Sequence, residues 1–382
     1  MSGFAETGAA AWRSGAFLVL LTVPRRRCGA PEYPNNQRAL SLPELHLSKP
    51  GVTFPATRID NAEIIRRVRK QYRGAEGEWS TIESAIERVF GLCKTEVRYL
   101  EPNKDARVAD YAVAAAKQCL EVNRTTLDDV DLLVCGGIAR QYFEPATAME
   151  VAAKLGLERI HAFDVTAACV GHLEAIQTAA AYLSLHDEYR TALVCTSELS
   201  GDYLSYDIQH VKDLYVKSAG LTIGNAAACV LLRRTPWPDG GIRLRGIDTH
   251  AVPDHWHLCQ VPIEGTLVSS SVELMRLGKL IPPLLRQNLG KVGFDPKEVE
   301  HFVFHQPSEA IVRRILEDIG ADPERGVYTH HLYGNTASAS VGVTYHRMLE
   351  ERSLKAGDKI VLGSAAAGFS VVIATGEWTG AR

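Results

Sequence analysis

Short, almost continuously apolar segments alternate with amphipathic helical segments along most of the chain, and this alternation limits the fold more than any other feature. Residues 130–136 read Val-Asp-Leu-Leu-Val-Cys-Gly, a strand pattern, and they follow an alanine-rich helical segment at 109–122. Strands this apolar are buried on both faces, as in parallel or mixed sheets covered by helices. The sequence therefore predicts an α/β fold, and 382 residues are enough for one large unit or two medium domains.

The other predicted elements follow the chain in order. A strand at 45–47 comes first, and Asp60 is placed to cap a helix that begins at Asn61. Further helices are predicted at 82–90, 109–122, 146–155, 308–319 and 336–351. Further strands are predicted at 130–136, around Phe163, and at 191–196, 226–233, 301–304, 359–363 and 370–375.

A stretch rich in proline and glycine, 235–241, separates two regions that share a layout. We therefore predict an N-terminal half at 45–235 and a C-terminal half at 236–382. In each half, a strand and a loop lead to a polar residue at a helix start. That residue is Cys169 in the first half and Asn335 in the second.

Composition argues against several classes of partner and site. Hydrophobic residues make up 46% of the chain, charged residues 23%, and the net charge of −3 gives no strong attraction to nucleic acid or anionic lipid. The eight cysteines are scattered without a C-x-x-C pair. This spacing is typical of reduced thiols rather than of a disulfide framework or a zinc site, and it predicts a cytoplasmic protein.

The N-terminal region has one apolar run, 16–23, which is too short to span a bilayer. Glu6 before this run and the basic cluster 25–27 after it both count against an exported signal peptide. We predict that residues 1–38 form a disordered extension that the fold does not need, with a short membrane-surface anchor as the alternative. No integral membrane segment is expected.

The segment from His161 to His172 runs from a strand into a helix, and Cys169 lies at the junction. Small residues precede this cysteine and leave room for a substrate carbonyl. Unpaired N–H groups at a helix N-terminus favour an anion, so we predict a lowered pKa for the Cys169 thiol and a nucleophilic role. The alternative, on this segment alone, is an ordinary buried cysteine in a strand-to-helix turn.

Two further polar residues follow strand or loop ends in the C-terminal half. His305 comes directly after the strand that ends at Phe304, and functional groups often lie at the carboxyl ends of strands in α/β folds. Asn335 follows Gly334, which permits an unusual backbone conformation ahead of a predicted helix. Taken singly, a hydrogen-bonded core histidine and a helix-capping asparagine are the simpler interpretations.

Taken together, the three motifs resemble a known family. Asp-Val-Thr-Ala-Ala-Cys at 164–169, His-Gln at 305–306 and Gly-Asn-Thr at 334–336 are similar to the ketoacyl synthase III branch of the thiolase superfamily. The resemblance covers about residues 45–382. It implies a five-layer α-β-α-β-α fold built from two similar halves, usually an obligate homodimer, with the active site between the halves.

The resemblance also implies a ping-pong reaction on acyl thioesters of coenzyme A or of an acyl carrier protein, without a cofactor or metal. Cys169 would attack the thioester and carry the acyl group. His305 and Asn335 would donate hydrogen bonds to the enolate oxygen that forms when a malonyl unit loses carbon dioxide. A second oxyanion hole would use the backbone N–H of Cys169 and one from the turn at Ala367 and Gly368.

Departures from the family pattern bear on the substrate. The glycine-rich turn expected before Phe369 reads Ser-Ala-Ala-Ala-Gly at 364–368, which narrows the turn. The tryptophan that stacks on coenzyme A in family members falls near Ala85, and an arginine for carrier-protein docking is replaced by Ala310. These changes favour a specialised lipid or polyketide pathway over the initiation of fatty-acid synthesis.

The motif at 142–145 falls where family members place a residue that enters the partner subunit's acyl pocket. Glu144 is therefore a candidate base toward a substrate α-carbon, with a solvated loop residue as the alternative. Phe143 and Phe369 are candidates for the wall of the substrate tunnel. Tyrosines in the insertion 201–220 are expected to cap that tunnel.

Three alternatives remain open. The first is an acyltransferase of the same fold that acylates an oxygen or nitrogen nucleophile, and the second is a catalytically degenerate partner subunit. Retention of Asn335 favours condensation over the first, and the intact trio argues against the second. The third is a metal site at His250, His255, His257 and Cys259, for which a polar loop near the site entrance is the favoured interpretation.

Overall fold

The computed structural model describes residues 44–380. The predicted extension 1–38, with its apolar run 16–23, lies outside the described residues. Within 44–380, none of the helices combines the length and the apolar character needed to cross a membrane.

The strands of this region are short at its start and longer toward its end. They are β1 (His46–Leu47), β2 (Gly51–Thr53), β3 (Arg58–Asp60), β4 (Val97–Tyr99), β5 (Leu132–Gly136), β6 (His161–Val165), β7 (Thr191–Glu198), β8 (Ala226–Arg233), β9 (Ile242–Ala251), β10 (Cys259–Gln260), β11 (Val268–Ser269), β12 (His301–Phe304), β13 (Lys359–Ala366) and β14 (Ser370–Trp378).

The helices alternate with these strands over most of the chain. They are α1 (Asn61–Gln71), α2 (Glu76–Cys93), α3 (Val108–Val122), α4 (Thr147–Leu155), α5 (Gly171–Leu185), α6 (Leu214–Lys217), α7 (Ser271–Leu277), α8 (Ile281–Lys291), α9 (Glu309–Ile319), α10 (His330–Tyr333) and α11 (Ser340–Glu351).

The main sheet is mixed, as the sequence predicted. Its strands run in the order β12-β13-β14-β9-β1-β8-β7-β5-β6, with β2 paired to β8. Strands β5, β6 and β7 are mutually parallel, whereas β7 and β8 are antiparallel. Strand β1 pairs with β8 on one side and with β9 on the other, so it joins the strands of the N-terminal half to those of the C-terminal half.

Helices pack on the sheet in layers, and the order of these layers defines the fold class. Helices α3 and α4 pack on the outer face of β5, β6, β7 and β8, while α8 and α9 pack on the outer face of the C-terminal strands. Helices α5 and α11 touch each other and contact strands of both halves. They therefore form the middle layer of an α-β-α-β-α arrangement, and the largest apolar core surrounds them.

The two halves exchange contacts at the starts of the two central helices. A 3-10 turn at Ala168–Val170 leads into α5, and a second one at Ala337–Ala339 leads into α11. Each turn begins with an alanine in the left-handed region, Ala168 at φ 47° and Ala337 at φ 48°. Strand β7 of the first half packs on the second turn, and β13 of the second half packs on the first turn. This reciprocal packing places both turns at one site.

Local sequence signals explain several element boundaries. The Asp60 carboxylate accepts a 2.8 Å hydrogen bond from the Glu63 N–H, which confirms the predicted cap of α1. Ser308 caps α9 by accepting from the Ile311 N–H at 3.3 Å. Several predicted boundaries are wrong. Helix α2 spans Glu76–Cys93 rather than 82–90, and α11 begins at Ser340 rather than at 336. Three strands continue past their predicted ends: β7 to Glu198, β13 to Ala366 and β14 to Trp378.

Candidate active site

Cys169 lies in the turn between β6 and α5, as the sequence predicted. It is the middle residue of the 3-10 turn, directly after Ala168. The Ser364 hydroxyl on β13 donates a 2.9 Å hydrogen bond to the Cys169 carbonyl. The nucleophile candidate of the first half is thus fixed by a strand of the second half.

The electrostatic surroundings of Cys169 correct one prediction. Burial raises the pKa of the Cys169 thiol, and the Cys259 thiol and the Glu198 carboxyl add to that effect. The prediction of a lowered pKa is therefore wrong, because loss of water around the sulfur outweighs the helix N-terminus. Cys169 rests as a neutral thiol, and its proton must leave when an acyl group is attached.

His305 follows β12 and is buried. Its backbone N–H donates a 2.8 Å hydrogen bond to the carbonyl of Gly363, the residue before Ser364 on β13. Burial lowers the pKa of His305 to about 3, so the imidazole is neutral near pH 7. Its Nδ1 atom is enclosed and has no hydrogen-bond partner within the described residues.

The residue after this histidine anchors it. The Gln306 amide donates to the carbonyls of Phe304 and Val327 at 3.0 and 2.9 Å, and the Gln306 N–H donates to the Ser340 hydroxyl at 2.9 Å. The Gln306 carbonyl in turn pairs with His330 Nδ1 at 2.8 Å. This network fixes the end of β12 against α11 and therefore fixes His305.

Asn335 lies in the loop between α10 and the turn at Ala337–Ala339. Its N–H donates to the Thr222 carbonyl at 2.8 Å, and its carbonyl accepts from the Gly224 N–H at 2.9 Å. Its side-chain Oδ1 accepts from the Ala337 N–H at 2.9 Å. This contact orients the amide so that the Nδ2 hydrogens are directed away from the turn. Asn335 precedes a 3-10 turn rather than the helix itself, which corrects its predicted place.

The three residues meet at the contact between the halves. Cys169 and His305 are bonded to the consecutive β13 residues Ser364 and Gly363. The turn at Ala337–Ala339, which orients Asn335, packs on the turn that contains Cys169. A thiol, a neutral imidazole and a free amide donor therefore share one site, which suits attack on a thioester and stabilisation of an oxyanion.

The turn predicted to supply the second oxyanion donor connects β13 to β14. It consists of Ala367, Gly368 and Phe369, and the last two have φ values of 77° and 47°. Ala366, just before this turn, packs in the same apolar cluster as Cys169. The Phe369 side chain is buried among Phe302, Phe304 and other residues of the outer core, so its predicted place in a tunnel wall stays a prediction.

Glu144 and Phe143 lie on the surface of the single chain. Phe143 is 79% exposed, and Glu144, which precedes a cis proline, is exposed as well. The structure does not bring either residue to Cys169 within one chain. Their predicted roles therefore require a second subunit.

Sequence reasoning missed two residues beside this site, Glu198 and Ser338. Glu198 ends β7, and its carboxylate accepts a hydrogen bond from the Ser338 hydroxyl. The apolar run of β7 weakens after residue 195, so periodicity gave no reason to extend the strand to Glu198. No feature of the sequence distinguished Ser338 from the other small residues at 337–340.

The side chains of the histidine-rich loop are spread apart rather than gathered as metal ligands. Between residues 44 and 380, no group of three or more histidine, cysteine, aspartate or glutamate side chains is arranged to hold a metal ion. His250 instead pairs with the Asn288 amide at 3.1 Å.

Family models match both halves of the chain. The model for 3-oxoacyl-[acyl-carrier-protein] synthase III matches residues 163–252, and the model for the C-terminal region of the same synthases matches residues 289–378. Cys169 falls within the first match. His305 and Asn335 fall within the second.

Curated relatives and solved structures agree with these matches. The β-ketoacyl-[acyl-carrier-protein] synthase III of Helicobacter pylori is 28% identical over 329 residues, which cover 83% of this chain and 92% of the relative. A synthase III of Lactiplantibacillus plantarum is 25% identical over 75% of this chain and 89% of the relative.

The similar solved structures share the fold at lower identity. Xanthomonas campestris OleA has a TM-score of 0.79 at 22% identity, covering 88% of this chain and 100% of that one. The 3-oxoacyl-[acyl-carrier-protein] synthase III of Aquifex aeolicus has a TM-score of 0.74 at 21% identity, covering 87% of this chain and 99% of that one. The chain is thus a ketoacyl synthase III-like condensing enzyme with the thiolase fold.

Proposed function

We propose that this enzyme loads an acyl group from a thioester onto Cys169 and then joins it, through a new carbon–carbon bond, to a malonyl or second acyl thioester. The donor is a coenzyme A or acyl-carrier-protein thioester, and no cofactor takes part. The observation that carries the proposal is the convergence of Cys169, His305 and Asn335, since β13 bonds to Cys169 and His305 and the Cys169 turn packs on the turn that orients Asn335.

In the loading step, the Cys169 sulfur attacks the thioester carbonyl and the donor thiol leaves. The proton of the Cys169 thiol is transferred to the departing sulfur, so the step needs no external acid or base. The raised pKa of the Cys169 thiol is compatible with this step, because the thiol keeps its proton until the donor thiol leaves. In support, Xanthomonas campestris OleA with a cysteine replaced by serine was solved with bound lauric acid and lauroyl-CoA.

In the condensing step, an enolate of the second substrate attacks the acyl group on Cys169. Its oxygen needs hydrogen-bond donors, and neutral His305 together with the Asn335 Nδ2 hydrogens can supply them. Transfer of the acyl group to an oxygen or nitrogen nucleophile forms no enolate. The orientation of the Asn335 amide therefore favours condensation over that alternative.

We further propose a homodimer. Strand β6 is the last strand on its side of the sheet in residues 44–380, and an aromatic cluster lies beside it. The cluster consists of His161, Phe163, Tyr182, His186 and Tyr189. Tyr142, Phe143 and Met149 are also exposed, at 50, 79 and 49%. A second copy that covers this surface would bury them and bring Glu144 toward its neighbour's site.

Unpaired cysteine thiols are consistent with a reducing compartment. All seven cysteines between residues 44 and 380 are free. We therefore propose a cytoplasmic location, since structural disulfides are typical of exported proteins.

Intact-protein mass spectrometry tests the proposal. The wild type is incubated with acetyl-, octanoyl- and lauroyl-CoA in turn, and Cys169→Ala is treated in the same way. We expect an acyl mass on the wild type and none on Cys169→Ala. Cys93→Ala, which removes a cysteine at the end of α2, is the matched control and should load normally. An acyl mass on Cys169→Ala, or on neither protein with any thioester, would contradict the proposal.

A further inference from the structure

Glu198 is a fully buried carboxylate that the proposed mechanism does not use. It ends β7, where its exposed fraction is 0%. Its Oε1 accepts from the Ile138 N–H at 3.0 Å and from the Ser338 hydroxyl, and its Oε2 accepts from the Ala139 N–H at 3.1 Å. Burial of a carboxylate is unfavourable unless such donors offset it. The chain therefore holds a polar group here at some expense to stability.

The donors come from two separate segments. Ile138 and Ala139 belong to the loop after β5, which continues to the exposed residues Phe143 and Glu144. Ser338 is the middle residue of the 3-10 turn before α11. One carboxylate at the end of β7 thus joins a loop of the first half to a turn of the second.

That turn also orients Asn335. The Asn335 Oδ1 accepts from the Ala337 N–H at 2.9 Å, and Ala337 is the neighbour of Ser338. The turn packs on the Cys169 turn, and the Glu198 carboxyl is close enough to Cys169 to affect its thiol. A shift of Ser338 would therefore move the Asn335 amide relative to the sulfur that carries the acyl group.

We propose that Glu198 is a positioning residue for the condensing step, because its hydrogen bond to Ser338 holds the turn that aims the Asn335 amide at the acyl group on Cys169. This role rests on the proposed function. It predicts that weakening the contact slows condensation while the loading of Cys169, which uses no enolate donor, continues.

Two variants test the contact from its two sides. Glu198→Gln keeps the size of the side chain, but its N–H₂ group replaces either Oε2 beside the Ala139 N–H or Oε1 beside the Ile138 N–H and the Ser338 hydroxyl. Either way one backbone N–H loses its acceptor, and the Ser338 hydroxyl loses its charged partner, which weakens that contact. Ser338→Ala removes only the hydroxyl. It carries the test even if Glu198→Gln does not fold. Ser184→Ala on α5, whose hydroxyl donates to the Ala180 carbonyl at 2.6 Å, is the matched control.

The two half-reactions are measured separately on the full-length protein. Loading is followed by intact mass with acetyl-, octanoyl- and lauroyl-CoA, and condensation by product formation after malonyl-CoA or more of the same acyl-CoA is added. We expect loading within about twofold of the wild type and condensation slower by roughly 10- to 100-fold, since a misplacement of about 1 Å can reduce a rate 100-fold. The double variant should lose little more than the worse single variant, because both changes weaken the same contact.

The outcomes distinguish a failure of the role proposed for Glu198 from a failure of the proposed function on which it rests. A wild type that never loads or never condenses would overturn the proposed function, and the role of Glu198 with it. A functional wild type beside two variants that condense normally would overturn only the role of Glu198. Equal losses of loading and condensation would overturn it too, because they would indicate general damage around Cys169.

Discussion

At the scale of single residues, the proposed role of the Asn335 amide predicts different effects on the two half-reactions. Its Oδ1 is occupied by the Ala337 N–H, so its remaining donors are the Nδ2 hydrogens. Asn335→Ala removes those donors, and losing one oxyanion donor typically reduces a rate by about 10² to 10³. We expect near-normal loading of Cys169 and condensation slower by that factor, measured by intact mass and by product formation.

A matched control is available for this change. Asn103→Ala alters an exposed loop asparagine whose Oδ1 accepts from the Asp105 N–H at 3.0 Å, and both half-reactions should remain at wild-type rates. If Asn335→Ala slowed loading as much as condensation, the assignment of Asn335 to the enolate would be wrong.

Buried histidines predict an acid-sensitive fold. Burial lowers the pKa values of His172, His305 and His330 to about 4, 3 and 4. In the unfolded chain these values return to about 6.5, so protonation favours the unfolded state as the pH falls below 6.5. The stabilisation is present above pH 6.5. Each histidine should remove about 1.4 kcal/mol of unfolding free energy per pH unit on acidification.

Urea unfolding between pH 6.5 and 5 measures how the free energy of unfolding changes with pH. Most carboxylates titrate below pH 5, so they contribute little to this slope. His172→Gln should make the slope shallower by one histidine, because His172 then no longer titrates in the unfolded state. A flat profile in the wild type would mean that these imidazoles are not held neutral.

The sequence predicted which residues meet at the site but not their electrostatics. Cys169, His305 and Asn335 were identified because motif order and element ends are visible in one dimension. The direction of the Cys169 pKa was not, because it depends first on burial, which tertiary packing decides, and then on Cys259 and Glu198, which approach from other strands. Glu198 was missed for the same reason. Its partners Ile138, Ala139 and Ser338 are distant in the chain.

At the scale of elements, the packing of α11 on β8 depends on one glycine. A Cβ at Gly342 would lie 2.4 Å from the Ala228 Cβ on β8 and 3.4 Å from His172 Nε2. Gly342→Ala should therefore lower the free energy of unfolding by about 1 to 3 kcal/mol through overpacking, despite the better helix propensity of alanine. Urea denaturation measures the change.

The same substitution elsewhere should have the opposite sign. Gly290 lies on the exposed side of α8, and a Cβ there would meet no atom within 4 Å. Gly290→Ala should stabilise the protein by up to about 1 kcal/mol, the difference in helix propensity. A Gly342→Ala variant as stable as Gly290→Ala would show that the two halves adjust easily at this contact.

Elements with a strong pattern were predicted well, and elements defined by tertiary contacts were not. The bounds of β8 and β12 agree with the sequence prediction, because both are continuously apolar. Strand β9 was missed because arginines and half-exposed positions interrupt its apolar pattern. The start of α11 was misplaced because Ala337 adopts a left-handed conformation that the sequence does not signal.

At the scale of the whole molecule, the two halves form one site only because each contributes a strand to the other's turn. β13 holds the Cys169 turn through Ser364, and β7 holds the second turn through Glu198. The sequence suggested two similar halves from their layout. It did not predict the contacts of β13 and β7 with the turns of the opposite half, because these contacts form only when the halves pack. In the proposed homodimer, the exposed loop with Phe143 and Glu144 would extend the same dependence to a second subunit.

The last prediction concerns Glu144, which is proposed to act in the partner's site when two simple acyl thioesters are joined. Decarboxylation generates its own carbanion, whereas a malonyl-free condensation needs a base at the α-carbon. Glu144→Gln should therefore slow the malonyl-free reaction and leave the reaction with malonyl-CoA unchanged. Glu158→Gln, on the loop after α4, is the matched control and should change neither rate.

Mixed dimers then show whether the base acts across the interface. Glu144→Gln subunits retain Cys169, and Cys169→Ala subunits retain Glu144, so either variant alone lacks one group at every site. When equal amounts are unfolded and refolded together, half of the dimers are mixed, and each mixed dimer holds one complete site. Malonyl-free activity should return to about a quarter of the wild-type level, since only one site in four is then complete. No recovery in demonstrably mixed dimers would place Glu144 outside the partner's site, and an unimpaired Glu144→Gln enzyme would remove it from the chemistry.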